Sequence, residues 1–128
     1  MAIDINADML TFQNQIISEF GNQYYEQTEI FFNRAVSQAN DGLLYSALAD
    51  GKFALELNHY SPDKTGVVYL IGFLSQLHCD IGEIRIARSY YELGMKLLDP
   101  LEESYEDDMQ LYIRLKELID GESWKGEI

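Results

Sequence analysis

The chain is short of cysteine, proline and positive charge. Its single cysteine, Cys79, excludes an internal disulfide and fits a reducing compartment. Two prolines in 128 residues argue against a strand-and-turn fold, and the abundance of Leu, Ile, Ala and Tyr favours helices. Lys and Arg total 9 against 22 Asp and Glu, a net charge of −13. Such a surface repels phosphate, so neither nucleic acid nor an anionic membrane is expected as a partner. A basic protein or peptide would be attracted, although acidity also serves plain solubility. No apolar run approaches the ~18 residues of a membrane span. The opening MAIDINADML carries Asp4 and Asp8 and no early Lys or Arg, so it does not read as a signal peptide, and a cytoplasmic location is expected.

The hydrophobic fraction of 47% is enough to build the core of one domain, residues 1–128. Helical periodicity predicts about six helices. The first runs over Ala7–Phe20 with Asn6 as N-cap, and its stripe is Met9, Phe12, Ile16 and Phe20, widened by Ile17. The second runs over Gln23–Asn40. Tyr25, Phe32, Val36 and Ala39 lie on one side and Tyr24, Phe31 and Ala35 on the next, so it needs two partners. The third, Leu43–Asn58, shows Leu44, Ala47, Leu48, Gly51, Ala54 and Leu55 on its face. Ser61-Pro62 reads as the start signal of a fourth helix that becomes regular near Thr65 and ends near Asp80. A fifth spans Glu83–Leu98. Asp99-Pro100-Leu101-Glu102 reads as a capped start of a sixth. The apolar side of that helix is Leu101, Tyr105, Met109 or Asp108, Tyr112, Leu115 and Ile119, and Asp120-Gly121 stops it. The remaining residues, 121–128 with Trp124, read as a loose tail.

The most informative stretch is Val68–Pro100, VYLIGFLSQLHCDIGEIRIARSYYELGMKLLDP. Two helices flank the break at Asp80-Ile81-Gly82, and the small residues Ala87 and Gly94 recur seven apart around Tyr91. Small side chains let helices cross closely, so an antiparallel hairpin is predicted. The stretch is a second copy of an earlier one. A shift of 40 places Gly42 on Gly82, Leu44 on Ile84, Ala47 on Ala87, Gly51 on Tyr91, Ala54 on Gly94 and Leu55 on Met95. It also places Phe31 on Ile71 and Ala35 on Ser75. Two copies of a helix–turn–helix unit predict a short α-solenoid.

These residues resemble the tetratricopeptide repeat family. The second copy offers Ile71, Leu74, Ser75, His78, Gly82, Ala87, Tyr91, Gly94 and Pro100. The first offers Phe31, Arg34, Ala35, Gln38, Gly42, Ala47, Gly51, Ala54 and Pro62. The Trp and Tyr of the family pattern are replaced, and the copies stand about six residues further apart than its usual period. The resemblance implies an all-α fold: antiparallel helical hairpins stacked as a short, TPR-like right-handed superhelix. Residues 1–22 would be an N-terminal helix, 23–60 and 61–99 the repeats, and 100–120 the cap. It further implies a groove lined by the first helix of each repeat. By position that groove falls on Glu29, Phe32, Asn33, Val36 and Asn40, and on Tyr69, Gly72, Phe73, Gln76 and Asp80. Its aromatic middle and acidic rim imply an apolar or amphipathic peptide bearing Lys or Arg, held by a non-enzymatic adaptor. The groove would be filled equally well by the first helix or buried in a homodimer.

No motif of a catalytic family is present, and no cofactor is expected. Glu56-Leu57-Asn58-His59 has the Glu-x-x-His spacing of di-iron bundles but no second copy, so no metal is expected. His78 and Cys79 are adjacent in a helix and point about 100° apart, which suits a packed histidine and a small apolar filler rather than a catalytic pair. The run Asp99, Glu102, Glu103, Glu106, Asp107 and Asp108 suits a solvated helix start or a docking strip for a basic partner. That strip supports an alternative function: a small acidic inhibitor, immunity protein or secretion chaperone that neutralises one basic protein.

Overall fold

The computed structural model describes residue 4 and residues 6–126, and the side chains of 122–126, including Trp124, lie outside the described residues. The described residues form six helices and no strand: α1 (Met9–Phe20), α2 (Tyr24–Asn40), α3 (Leu44–Tyr60), α4 (Val67–Asp80), α5 (Ile84–Leu97) and α6 (Tyr105–Gly126). None of them is long and apolar enough to cross a membrane. The chain divides into two compact units, Met1–Lys64 and Thr65–Ile128. Each unit is built on one helical hairpin.

The two hairpin turns have the same geometry. Gly42 and Gly82 sit at φ 80° and 84°, a left-handed conformation that a side chain resists. The next amide then reaches back five residues: Leu43 N to Gln38 O at 2.9 Å, and Glu83 N to His78 O at 2.8 Å. Orphan carbonyls of the preceding helix are satisfied and the chain is turned at once into the next helix. The shift of 40 is therefore a repeat of structure as well as of sequence.

In the first unit α2 and α3 run antiparallel, with Tyr24 at the start of α2 beside Tyr60 at the end of α3, ring centroids 5.7 Å apart. Ala47 and Ala54 are fully buried in the hairpin. α1 packs on α2. Phe31 is the meeting point: its ring lies 4.9 Å from Phe12 of α1 and 4.7 Å from Phe53 of α3. The α2 surface does need two partners, and Phe31 touches both. Ile17 does not widen the buried stripe of α1; it is exposed, and Phe12 and Ile16 carry the contact.

Beside Phe31 lies a buried ion pair. Arg34 Nε faces Asp50 Oδ2 at 2.8 Å, its guanidinium covers the Phe12 ring at 4.2 Å, and Arg34 Nη2 donates to the carbonyl of Ala7 at 2.6 Å. Burial raises the Asp50 pKa, and the Arg34 charge and a hydrogen bond from Gln38 counter it. At the matching positions the second unit has Leu74, Tyr90 and His78. There the His78 ring stacks on Tyr90 at 5.4 Å and its Nδ1 meets Glu83 Oε1 at 3.1 Å.

In the second unit α4, α5 and α6 surround one core of Val68, Ala87, Leu111, Tyr112, Leu115 and Ile119. Cys79 packs half-buried against it, as a small apolar filler would. The small residues of α4 and α5 have a purpose the hairpin alone does not explain. A Cβ on Gly94 would collide with the ring and hydroxyl of Tyr112, and one on Gly72 would stand 2.6 Å from Leu111. These gaps admit α6, and the Tyr112 hydroxyl passes through to donate to the carbonyl of Val68 at 2.6 Å. Ala87 serves the hairpin itself, its carbonyl accepting from Ser75 Oγ at 2.8 Å.

Four helix ends differ from expectation. α1 starts at Met9 with Asp8 as its N-cap, because Asp8 Oδ1 accepts from the Thr11 amide at 3.0 Å and Oδ2 from the Thr11 hydroxyl. Asn6 instead gives its amide to Asp4 Oδ1. Ser61-Pro62 closes α3 rather than opening α4: the Ser61 amide donates to Asn58 O and its hydroxyl to Asp63 O, and α4 follows Gly66 at φ 85°. Asp99 caps only a turn, through the Leu101 amide, and α6 begins at Tyr105. Leu101 therefore precedes the helix and is 93% exposed. Gly121 does not take a positive φ, so α6 continues to Gly126.

Two outcomes follow for stability. Gly94→Ala should cost about 1–3 kcal/mol by overpacking against Tyr112, and Tyr112→Phe about 1 kcal/mol by removing the hydroxyl's hydrogen bond to the Val68 carbonyl; urea midpoints read both. Arg34→Leu should cost about 3–5 kcal/mol by stranding Asp50, and Arg34→Leu with Asp50→Tyr, the pair found in the second unit, should recover much of that loss in the same measurement.

Candidate functional site

The residues assigned to a groove fall on one face of α2 and one face of α4, as spacings of three and four dictate. On α2, in the first unit, Glu29, Asn33 and Asn40 are exposed, and Phe32 and Val36 are half-buried. The Glu29 carboxylate accepts the Tyr25 hydroxyl, which raises the Tyr25 pKa. α1 docks through Phe12 on the Phe31–Arg34 side of α2, one helix face round from Phe32. On α4, in the second unit, Tyr69 and Asp80 are exposed, while Phe73 and Gln76 are half-buried. Gln76 donates to Asp80 Oδ1 at 3.0 Å, so these two polar positions engage each other. Gly72 is no groove residue: it is buried against Leu111 and Tyr112 of α6.

Tyr69 belongs to a cleft within the second unit. Gly66 and Tyr69 from the start of α4 face Ser104, Asp107, Asp108, Gln110 and Arg114 across about 380 Å³. In the sequence the α6 side reads as an acidic run, with Asp108 the alternative to Met109 on the apolar side of the helix. Asp99, Glu102, Glu103, Glu106 and Asp107 are indeed exposed, but Asp108 is 4% exposed and points inward. The signal was its spacing, four residues before the buried Tyr112.

Asp108 is the unusual group in this cleft. Its Oδ2 accepts from the Ser104 hydroxyl at 3.0 Å, and its buried Oδ1 has no hydrogen-bond donor. Burial raises its pKa, the Ser104 bond lowers it, and the neighbouring Asp107 raises it further. Tyr112 next to it is pushed up as well, by burial and then by the Asp108 charge.

The other polar candidates have ordinary structural places. His78 is 1% exposed, held between the Tyr90 ring and Glu83. Glu56 and His59 are exposed near the end of α3, and the His59 ring meets Tyr60 edge-on. No three His, Cys, Asp or Glu of the described residues gather as a metal would require.

The raised Asp108 pKa carries a sign. Between the ordinary carboxylate value and its own, the folded state holds a proton that the unfolded state has released, so stability falls as pH rises through that window. The difference in urea midpoint between wild type and Asp108→Asn should therefore change across it, and carboxyl-carbon NMR should place the Asp108 midpoint above the exposed aspartates.

Comparison with family models, with curated proteins and with solved structures yields no match to this chain.

Proposed function

We propose that the chain is a non-enzymatic protein-interaction module of the tetratricopeptide kind, which holds a basic peptide or amphipathic helix in a cytoplasmic setting. The observation that carries this reading is Tyr69, 41% exposed on α4 at the mouth of a cleft walled by Asp107 and Asp108. An amphipathic aromatic beside carboxylates offers a basic helix both an anchor and a charge partner. Phe32 and Val36 on α2 supply a second half-buried apolar patch, next to Glu29. Glycine turns, small-residue crossings and the hairpin repeat support the family likeness, and the net charge of −13 supports the partner's sign.

A specific observation favours a second reading. The run from Asp99 to Asp107 exposes five carboxylates along the approach to α6, which suits an inhibitor or chaperone that neutralises one basic protein. The two readings separate on salt and on aromatics. For the module, Tyr69→Ala and Phe32→Ala should each weaken capture of a Lys- and Leu-containing helical peptide at least fivefold by fluorescence anisotropy, about 1 kcal/mol, with far-UV circular dichroism unchanged. If both variants bind as wild type and affinity instead collapses with added salt, the neutralising reading replaces it.

A further inference from the structure

The outer face of α5 is apolar where a helix that meets only water would be polar. Ile86, Leu93 and Leu97 are 42%, 42% and 46% exposed, and the half-buried Tyr90 lies among them. Their intervals of four, three and four residues are those of a seam that meets another helix. The contacts of α5 within its own unit are made elsewhere. The Ala87 carbonyl accepts from Ser75 of α4, and Gly94 receives Tyr112 of α6. Charge sets α5 apart as well. It carries Arg85, Arg88 and Lys96 against Glu92, whereas each of the other five helices has more acids than bases. In a chain of net charge −13, this is the helix on which a second acidic copy meets least repulsion. Just past its end, the connection to α6 exposes Asp99, and Leu101 there is 93% exposed.

We propose that α5 is a self-association face, which pairs antiparallel with α5 of a second copy about a twofold axis near Tyr91 and Glu92. The inference goes beyond the module reading, because α5 holds none of the residues assigned to the peptide. The choice of a second copy as occupant rests on charge. Setting Ile86 against Leu97 and Tyr90 against Leu93 brings the exposed Arg85 of one copy beside the exposed Asp99 of the other, and the symmetry does so twice. A parallel pair would instead set Arg85 on Arg85, so the same charges fix the direction. Leu101 follows Asp99 and adds an apolar group at each end of the seam. One opposing contact is built in: the two Glu92 side chains approach each other at the axis, each with Lys96 one turn on in its own helix. The seam is short. A helix of 14 residues spans about 21 Å, which places the interface at the small end of stable contacts, about 1,000 Å² in all, and the affinity in the micromolar range. A twofold contact closes on itself, so assembly stops at the dimer.

Sedimentation equilibrium of the full chain tests this, at about 0.15 M salt, where charges more than about 8 Å apart are screened. A reversible monomer–dimer equilibrium is expected, with a dissociation constant between about 1 and 100 μM and no larger species. Leu93→Glu should weaken dimerisation at least tenfold, with unchanged circular dichroism showing that the chain folds. Arg85→Glu and Asp99→Arg should each weaken it at least threefold. The doubly substituted chain, and an equimolar mixture of the two single variants, should regain the wild-type affinity, because an antiparallel twofold pair sets position 85 of one copy against position 99 of the other. Glu92→Gln should tighten the dimer. A chain that stays monomeric to about 1 mM, growth beyond the dimer, a dimer indifferent to Leu93→Glu, or a mixture that fails to recover overturns the proposal. So does a monomeric chain whose Ile86 and Leu93 amides shift saturably with a Glu- and Leu-containing helical peptide, since that result gives the face to an acidic partner.

Discussion

The second unit depends on one side chain reaching across it. Tyr112 leaves α6, passes over Gly94 of α5, and delivers its hydroxyl to the carbonyl of Val68 in α4. Three helices are thereby tied at a single point, in a space that exists only because residue 94 has no side chain. Gly72 does the same for Leu111 one step away. The buried hydroxyl is satisfied, so its burial carries no orphan penalty. The cleft follows from this contact, because docking of Tyr112 also fixes Asp108, one turn earlier, beside the start of α4.

The two hairpins solve one packing problem with two chemistries. Matching glycine turns and a buried alanine at the aligned positions 47 and 87 frame both hairpins. At the layer between the helices, one copy places an arginine–aspartate pair braced by glutamine, and the other a leucine, with histidine stacked on tyrosine. The ionic version depends on mutual compensation, since each charge is costly without the other. The aromatic version needs no such charge pair, and Glu83 meets the Nδ1 edge of its histidine. The geometry of the turn outranks the chemistry of the layer in defining the repeat.

Helix number, helix type and both hairpin turns were legible in the sequence, because Gly42 and Gly82 announce left-handed turns and the apolar positions keep a period near 3.6. Ala47, Ala54, Ala87, Phe12 and Ile16 were read correctly as inward. Helix ends were less legible. Asp8 and Ser61 each act through which nearby amide or carbonyl they meet, and several neighbours had equal claims by residue type. Gly94 was recognised as a close-contact residue but its partner was not, since spacing within one helix does not say which other helix fills the gap. The groove positions on α2 and α4 were read as faces, which spacing does determine. Asp108 lies inside an acidic run whose other members point to solvent; spacing offered it as the alternative to Met109 on the apolar side, and its place four residues before Tyr112 decides between them.

The hold of Arg34 on the start of the chain differs in kind from the aromatic contacts around it. The guanidinium takes a main-chain carbonyl, that of Ala7, rather than any side chain. Position 7 is therefore free to drift among residue types without loosening α1, while position 34 is answerable at once to Asp50, to the Phe12 ring and to that carbonyl. Variation among relatives of this chain should be lopsided across the contact, permissive on the side that is grasped and strict on the side that grasps.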